Sequence, residues 1–531
     1  MIGRDGHCPP PTAPETRWHK LWLFNLASFF AIAALAWTSC EGDPVHHRRG
    51  TRKQRSVCDQ KNKNASSGDS QKNKGSGQAS ARHDTSQVTK RVVEIRRAGD
   101  TSSPSSSRPS EARKPGSTDK GAKNQKPPTA VYVTRTLDPT LEKMRKRHEK
   151  WEASQSKETG AVRKKQKEKR SRERREKLIL RSSLPKEKRP TKLSEFKQIP
   201  HLPPVAQYYA GTCWSFCSTS FMESEILRKS GGKTKIKLSP LATVYWEYVA
   251  KAGGFVDTRG ASHFGQGSEA NALLRAFSQH GAWPSEAYKG TKWPDGKHDH
   301  QRLMGDLKAV LTLAKGQSLW DKATIQSMIQ VVLDRDLGRP PSRFKYKGKS
   351  YDPRSFLKDV LQLDPSDYVS FMSTVKLPFY KTGEFKVPDN WWHDDSYHNL
   401  PLDEFYTTFK KAIKNGYSAV IAIDVSEPGK DPENDVMFVP GYDIPAAQID
   451  GLAREYRFAH KVTTDDHGVH VVGWTQHAGH DWFLIKDSGR SSRRGRHKGY
   501  YFIREDYIRL KVLAFMVHRD AAKEALKKFP K

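Results

Sequence analysis

The chain has 531 residues, more than one ordinary domain contains, and its formal net charge at pH 7 is +34. Its five cysteines include no Cys-x-x-Cys pair and no zinc-ligand spacing, which excludes a disulfide-stapled scaffold or a zinc finger. The positive charge is concentrated, because residues 41–190 contain 41 Lys and Arg against 18 Asp and Glu. It therefore belongs mainly to one segment, and nucleic-acid binding by a folded surface is not indicated.

The first 40 residues resemble an export signal. Basic residues precede an uncharged apolar run from Leu21 to Trp37, and small residues then lead to Cys40. The end of the run resembles a bacterial lipoprotein cleavage box with Cys40 as the lipidated residue, although Trp37 stands where an aliphatic residue is usual. An uncleaved membrane anchor is the alternative, because the run is close to the shortest length that spans a bilayer. Both interpretations predict an exported, membrane-associated protein of a bacterial cell envelope.

Residues 41–190 are predicted to be a basic, low-complexity linker. From 41 to about 128, large apolar residues are almost absent, so the segment cannot bury enough surface to offset chain entropy and is expected to be disordered. The stretch from Leu141 to Leu180 is rich in Lys, Arg and Glu, which predicts a solvated helix. The linker is either a stalk that contacts anionic lipid or an anionic polymer, or a soluble spacer.

The segment from Gln207 to Phe221 carries the strongest chemical signal. Cys213 precedes a run that predicts a helix to about Arg228, and the positive end of a helix dipole favours the nucleophilic thiolate. Gln207 can place its amide beside the sulfur, where an oxyanion develops during acyl transfer. The alternative is a buried structural cysteine. We apply that interpretation to Cys217, one helical turn further on and facing the core.

This segment resembles the active-site segment of papain-like cysteine peptidases. The matching residues are Gln207, Gly211, Cys213, Trp214 and Phe216. The resemblance covers about residues 195–515. It implies that Cys213 is the nucleophile, that Gln207 and the Cys213 backbone N–H hold the oxyanion, and that Trp214 lies at the substrate. It implies no metal and no organic cofactor.

The base that such a thiol needs is most often a histidine. The segment from Asp466 to Trp474 contains His467 and His470. In papain-like enzymes the histidine begins a strand and a glycine follows six residues later, which fits His467 and Gly473. The resemblance therefore makes His467 the base. His470 is expected on the opposite strand face, as a packed or outer histidine.

The segment Trp482 to Gly489 resembles the family's strand that ends in Asn-Ser-Trp-Gly, where the asparagine orients the histidine. Asp487 stands in the asparagine position and Gly489 where tryptophan is usual. An aspartate can accept the same imidazole N–H bond and would stabilise the imidazolium more strongly. The bond would lack the usual aromatic cover.

A glycine-containing segment before the expected helix from Ala270 to Phe277 also resembles the family pattern. There, such a segment presents backbone groups to the substrate chain. The resemblance implies that Gly265, Gln266 and Gly267 line the non-primed subsites, since glycine lets a peptide backbone approach closely. An ordinary loop before a capped helix is the alternative.

Residues 289–399 are predicted to be a long, largely helical insertion, and Tyr417 to Val425 reads as a buried strand. The insertion explains why 254 positions separate Cys213 from His467, against about 130–150 in papain. This order of elements resembles the bleomycin hydrolase branch of the superfamily, which carries large insertions between the catalytic cysteine and histidine.

Together these features predict an α+β, papain-like fold over residues 191–531, with a helical half, a β-sheet half and a cleft between them. The implied function is peptide-bond hydrolysis through a thioester, by an aminopeptidase-like or a general peptidase acting on peptides or proteins. Two alternatives stay open. One is a weak or inactive papain-like fold that binds peptides, and the other is an envelope-tethering protein that acts through its basic segment.

Overall fold

The computed structural model describes residues 132–530. The predicted signal, Cys40 and the segment 41–128 lie outside the described residues, so the expectations for them stay predictions. The described chain divides into two compact units, residues 132–168 and 169–530. Within the described residues, we find no helix with both the length and the apolar character that a membrane span requires.

The helices of the described chain have the following bounds. They are α1 (Pro139–Glu176), α2 (Cys213–Lys229), α3 (Pro240–Asp257), α4 (Ala272–His280), α5 (Gln301–Gly316), α6 (Lys322–Asp336), α7 (Pro353–Ser355), α8 (Leu402–Lys414), α9 (Gly451–Ala459), α10 (Glu505–Lys511) and α11 (Lys523–Leu526). Phe356–Leu361 continues α7 as a π-helix.

The strands of the described chain have the following bounds. They are β1 (Lys197–Gln198), β2 (Phe344–Tyr346), β3 (Lys349–Tyr351), β4 (Tyr368–Met372), β5 (Thr382–Gly383), β6 (Tyr397–Asn399), β7 (Ala419–Ile423), β8 (Lys430–Asp431), β9 (Val436–Met437), β10 (His467–His477), β11 (His480–Lys486), β12 (Tyr500–Arg504) and β13 (Val512–His518).

Helix α1 confirms the predicted solvated helix. The Asp138 carboxylate accepts the backbone N–H groups of Thr140 and Leu141 at 2.7 and 3.2 Å, which satisfies the free donors at the helix start. None of its 38 residues is buried. Its surface carries i,i+4 pairs such as Arg145–Glu149, which contribute only tenths of a kcal/mol each.

The helical half is built around α2 and α3, which share one hydrophobic core with α4 to α6. Helix α2 ends at the predicted Gly-Gly pair, because Gly231 and Gly232 adopt positive φ values of 61° and 82°. Helix α3 starts at Pro240 with the Ser239 hydroxyl accepting the Ala242 N–H at 3.3 Å. The sequence predicts this helix through Tyr245 and Val249, and it extends further, to Asp257.

One mixed, 11-stranded sheet forms the other half of the described chain, in the order β5-β6-β4-β13-β7-β10-β11-β12-β9-β8, with β1 also paired to β10. The central strand β10 pairs antiparallel with β7 and β11, which sets His467 opposite Ile423 and His470 opposite Lys486. Apolar residues of β7, β10, β11, β12 and β13 fill the core beneath the sheet. His467 therefore begins a rigid, fully paired strand.

The insertion is helical only in its first part. Helices α5 and α6 pack in the core of the helical half, and the hairpin of β2 and β3 follows. The later part adds β4, β5 and β6 to one edge of the large sheet, with β4 paired to β13. The insertion is thus divided between the two halves instead of forming a separate unit.

Residues that precede the predicted domain boundary at residue 191 contact residues of the sheet half. The Ser183 hydroxyl donates to Asp431 at 2.6 Å, and the Arg189 guanidinium donates to the Asn434 side chain at 2.9 Å. These residues come from the end of the predicted linker, so ordered structure on the sheet half begins before residue 191.

Candidate active site

Gly468 allows helix α2 to lie directly on strand β10. A Cβ atom at this position would lie 2.9 Å from the Cys217 sulfur and 3.3 Å from the Trp214 Cα, too close for any other residue. This contact brings the start of α2 to the start of β10. Cys213 and His467, 254 positions apart in the sequence, therefore face the same cavity.

Cys213 is the first residue of α2 and is partly exposed, whereas Cys217 is buried in the core, as predicted. The Cys213 backbone N–H, at the first helical position, has no partner within the helix. The Cys217 thiol donates to the Trp214 carbonyl at 3.2 Å, and burial together with the nearby Cys213 raises its pKa well above the usual value. Of the two thiols, Cys213 is the one available to a ligand.

His467 and Asp487 form a buried pair. The His467 Nε2 and the Asp487 Oδ1 are 2.8 Å apart, and their side chains are 10% and 0% exposed. The expected loss of aromatic cover therefore does not expose this bond. Because Nε2 is engaged by the carboxylate, Nδ1 is the ring nitrogen left to face the thiol.

The electrostatics of the pair favour a charged imidazolium. Burial alone would lower the pKa of His467, but the charges of Asp487 and Cys213 and hydrogen bonds to both raise it to about 10. Burial opposes ionisation of Asp487 as well, yet His467 and the Gly489 N–H hold the pKa of this carboxyl below its usual value. The pair is therefore stable as carboxylate and imidazolium at neutral pH.

Gly489 leaves room for this arrangement. A Cβ atom there would lie 3.2 Å from the His467 Nε2 and 3.0 Å from the Asp487 Oδ1. The Gly489 N–H donates at 2.6 Å to the same Asp487 Oδ1 that His467 contacts, and so helps to fix the carboxylate. The residue that departs from the family pattern is thus in close contact with the pair.

Gln207 is buried and held at both ends of its side-chain amide. Its nitrogen donates to the Ala210 carbonyl at 2.6 Å, and its oxygen accepts from the Ser488 hydroxyl at 2.6 Å. A further hydrogen bond, from the Gln207 backbone N–H to the Ser488 carbonyl at 3.0 Å, ties Gln207 to the residue after Asp487. One N–H of the amide remains free to bind another acceptor.

Gln266 and Trp214 fix each other. The Trp214 indole N–H donates to the Gln266 carbonyl at 3.0 Å, and the Gln266 side chain accepts the Gly211 N–H at 2.7 Å. Lys251 is buried beneath the same segment, where its ammonium donates to the carbonyls of Gly265 and Gly267. The predicted substrate segment is therefore rigid, with several of its carbonyl groups already bonded inside the protein.

His470 is packed, as predicted. It is completely buried, and its Nδ1 lies 2.8 Å from the Ser220 hydroxyl on α2. Burial and nearby cationic groups, Lys486 first among them, lower its pKa well below the usual value. A neutral His470 therefore joins helix α2 to the sheet below the pair of His467 and Asp487.

A cavity of about 300 Å³ connects most of the predicted site residues. Gln207, Cys213, Trp214, Gln266, Gly267 and His467 all line it, whereas Gly265 lies outside its wall. Besides Asp466, which precedes the predicted base, the cavity is lined by three carboxyl residues that the sequence analysis did not identify, namely Glu269, Asp389 and Asp465. Two of these stand beside predicted residues in the sequence, whereas Asp389 belongs to the insertion and has no local signal.

No family model matches the chain, and no match to a curated protein is found. Among solved structures, the chain is similar to PepW from Lactobacillus rhamnosis HN001, with 17% identity and a TM-score of 0.51, over 62% of this chain and 83% of PepW. Digestive procathepsin L 3 from Tenebrio molitor larval midgut gives 13% identity and a TM-score of 0.28, over 63% and 73% of the two chains. The fold predicted from the sequence is confirmed as a papain-like α+β fold.

Proposed function

We propose that this chain is a cysteine peptidase that hydrolyses peptide bonds through a thioester on Cys213. The observation that supports this proposal is that a helix-start thiol and a histidine that favours its charged form line one cavity, while a buried carboxylate outside the cavity wall is bonded to that histidine. Thiol, base and orienting carboxylate are the three groups that nucleophilic acyl transfer requires.

In the proposed reaction, the Cys213 sulfur attacks the substrate carbonyl while its proton resides on His467. The tetrahedral oxyanion is held by the Cys213 N–H and the free N–H of Gln207. It collapses with cleavage of the C–N bond, and the imidazolium gives its proton to the leaving amine. Water then attacks the thioester, His467 takes its proton, and the C–S bond breaks to release the acid and restore the thiol.

Asp487 keeps the imidazole oriented and charged during these steps. Its Oδ1 engages Nε2, so the other ring nitrogen faces the sulfur. Asp487 itself stays ionised, since His467 and the Gly489 N–H both favour the carboxylate. The residue thus acts through His467 and does not touch the substrate.

We further assign the chain to the bleomycin hydrolase branch, on the insertion between Cys213 and His467. In this proposal the substrates are peptides or proteins. The choice between an aminopeptidase and a general peptidase is left to the following test.

The test is incubation of the full chain with one defined peptide library, read by mass spectrometry. Cleavage that disappears on pretreatment with iodoacetamide is the expected result. Loss of single residues from free amino ends would identify an aminopeptidase, and internal cuts a general peptidase. Binding of library peptides without any cleavage would identify the alternative, an inactive peptide-binding protein, and contradict the proposal.

Asp487→Asn is expected to move the alkaline limb of kcat/KM to lower pH. The carboxylate raises the pKa of His467, so the imidazolium is kept until the pH rises through that raised value, and a neutral amide removes this effect. We expect activity at neutral pH to fall by about 10- to 100-fold at most, because the amide can still orient the ring. The measurement is a pH–rate profile with one fluorogenic peptide.

The control for this profile is Asp403→Asn, which removes an exposed carboxylate on α8. Its alkaline limb should coincide with that of the wild type. If the alkaline limb of Asp487→Asn also coincides with that of the wild type, Asp487 is not a functional residue. The functional set is then the pair of Cys213 and His467. The profile reports the coupled thiol and imidazole together.

We also propose that the chain is exported and held at a membrane through Cys40 or the Leu21–Trp37 run. The supporting observation is the sequence pattern of a basic start, an apolar run and a cysteine. In bacterial cells, a palmitate analogue should label the wild type and leave Cys40→Ser unlabelled. Absence of label from both, with an uncleaved membrane-bound chain, would favour the anchor over the lipoprotein.

A further inference from the structure

The Asp466 carboxylate accepts the Val425 N–H at 2.9 Å, and three further carboxyl side chains that line the cavity beside Cys213 have no task in the proposed reaction. They are Glu269, which follows the Gly265–Gly267 segment, Asp389 from the insertion, and Asp465, two residues before His467. A Cβ atom on Gly267 would collide with the Asp389 carboxylate, so Asp389 lies directly against the predicted substrate segment. Residues distant in the sequence therefore bring negative charge to one wall.

The carboxyl groups of this wall lack a partner of opposite charge. Glu269 is only 3% exposed, and its buried Oε1 accepts no hydrogen bond from an N–H or O–H group of the described residues, while the Asp465 carboxyl lies beside it. Within residues 132–530, neither it nor Asp389 nor Asp465 forms an ion pair within 4.0 Å, although most charged groups this buried are paired. Removal of a carboxyl group from water without a partner costs several kcal/mol as an order of magnitude.

The nearest cationic side chains are already committed. The Lys251 ammonium is bonded to the carbonyls of Gly265 and Gly267, although it lies close enough to Asp389 and Glu269 to interact with both electrostatically. Arg275 forms its ion pair with Glu247. Among the described residues, the carboxyl groups of this wall are thus left without an ion-pair partner.

The raised pKa values of Glu269 and Asp465 agree with a site that binds a cation. Burial, with the nearby Asp465, raises the pKa of Glu269 well above the usual value, and burial raises the pKa of Asp465 to about 7. Two carboxyl groups in contact hold a shared proton when no counter-charge is present. An ammonium or guanidinium group would replace this proton and supply the missing donors.

We propose that Glu269, Asp389 and Asp465 form a subsite that binds a positively charged group of the substrate, on the acyl side of the scissile bond. The proposal rests on the proposed function and names its substrate class. The cation is either a free α-ammonium group or the side chain of lysine or arginine. An organic cation is favoured, since no three His, Cys, Asp or Glu side chains in the described part of the chain are arranged to hold a metal ion.

The test compares dipeptides with one fluorogenic leaving group, in buffer that contains EDTA. Acetylated peptides carry lysine or norleucine at either position, two side chains with the same four carbons of which only lysine ends in an ammonium group. An uncapped norleucine peptide adds an α-ammonium group. The wild type is expected to prefer a cationic peptide by about 10-fold or more in kcat/KM. Preference for the acetylated lysine peptides identifies the side chain, and preference for the uncapped peptide identifies the α-ammonium group.

Glu269→Gln should lower this preference by about 10-fold, because the amide keeps the shape and removes the charge. The matched control is Glu286→Gln, an exposed glutamate of the helical half that lies outside the cavity wall. It should keep the wild-type ratio. Where Glu269→Gln does not fold, Asp389→Asn takes its place, since this residue is only half-buried. A ratio near one in the wild type, or one unchanged by both variants, would overturn the proposal.

A binding measurement separates failure of this subsite from failure of the proposed function. Isothermal titration of the full-length Cys213→Ala chain with the lysine, norleucine and uncapped peptides as amides needs no turnover. A cationic preference here, with no hydrolysis by the wild type, would contradict the peptidase and keep the subsite. Equal affinities, or no binding of any peptide, would overturn the subsite whatever the wild type hydrolyses.

Discussion

Cys213→Ala is expected to abolish peptide hydrolysis, with a loss in kcat of about 10⁴-fold or more. The sulfur is the atom that forms the thioester in the proposed reaction, and Cys213 is the partly exposed one of the two cysteines that line the cavity beside His467. The groups that form a nucleophilic pair act as one unit, so removal of the nucleophile alone removes most of their joint effect. Hydrolysis of a fluorogenic peptide is the measurement, with folding checked by circular dichroism.

Cys217→Ala is the matched control, since it removes the same atom one helical turn away. The Cys217 sulfur is buried and packs against Gly468, so its loss leaves a small void and lowers stability by roughly 1 kcal/mol. Activity should stay within about tenfold of the wild type. Equal loss in both variants would show that the wrong sulfur has been chosen, or that the two cysteines are a structural pair.

Gln207→Glu is expected to lower kcat by about 10²- to 10³-fold, the usual cost of one missing oxyanion donor. The substitution keeps the oxygen that accepts from Ser488, but it removes the N–H groups that bind Ala210 and would bind the oxyanion. A structural role alone would disturb the thiol as well. The two possibilities therefore differ in what happens to Cys213.

Alkylation of Cys213 by iodoacetamide distinguishes these two roles. This reaction displaces iodide and forms no oxyanion, so a donor that serves only the oxyanion has no effect on it. We expect Gln207→Glu to be alkylated within about threefold of the wild-type rate while its kcat falls. A parallel loss of both rates would assign Gln207 to the framework of the site and not to the reaction.

Much of the fold could be predicted from local sequence patterns. Helix α2 begins at Cys213 and ends before the Gly-Gly pair, and β7 lies where the apolar run from Tyr417 to Val425 predicted a buried strand. These elements follow from local patterns, because a helix start, a turn and a buried strand each have a signature within a few residues. Helix α3 exceeded its predicted end because its last turns pack on the insertion helix α6, a contact that local propensity does not contain.

The sheet edge was beyond local prediction for the same reason. Strands β5 and β6 have two and three residues, and they exist because β6 pairs with the edge of β4 and β5 pairs with β6. The insertion containing them appeared mainly helical from its sequence. Only the tertiary pairing of β4 with β13 brings it to the sheet.

The candidate site, like the fold, could be predicted from the sequence only in part. Cys213, Gln207 and His467 were recognisable from motifs, and the structure brings them to one cavity with Asp487 bonded to His467. The acidic wall was not recognisable, because Asp389 reaches it from the insertion. Glu269 resembled any first-turn glutamate of a helix until its burial and missing partner were known.

The central claim is that His467 activates Cys213, and the rate of Cys213 alkylation by iodoacetamide at neutral pH tests it most directly. The measurement needs no substrate, and fragmentation mass spectrometry separates Cys213 from Cys217 as an internal control. We expect label on Cys213 first, and we expect His467→Ala to slow this labelling by about tenfold or more. Equal rates in the wild type and His467→Ala, or label on Cys217 before Cys213, would contradict it.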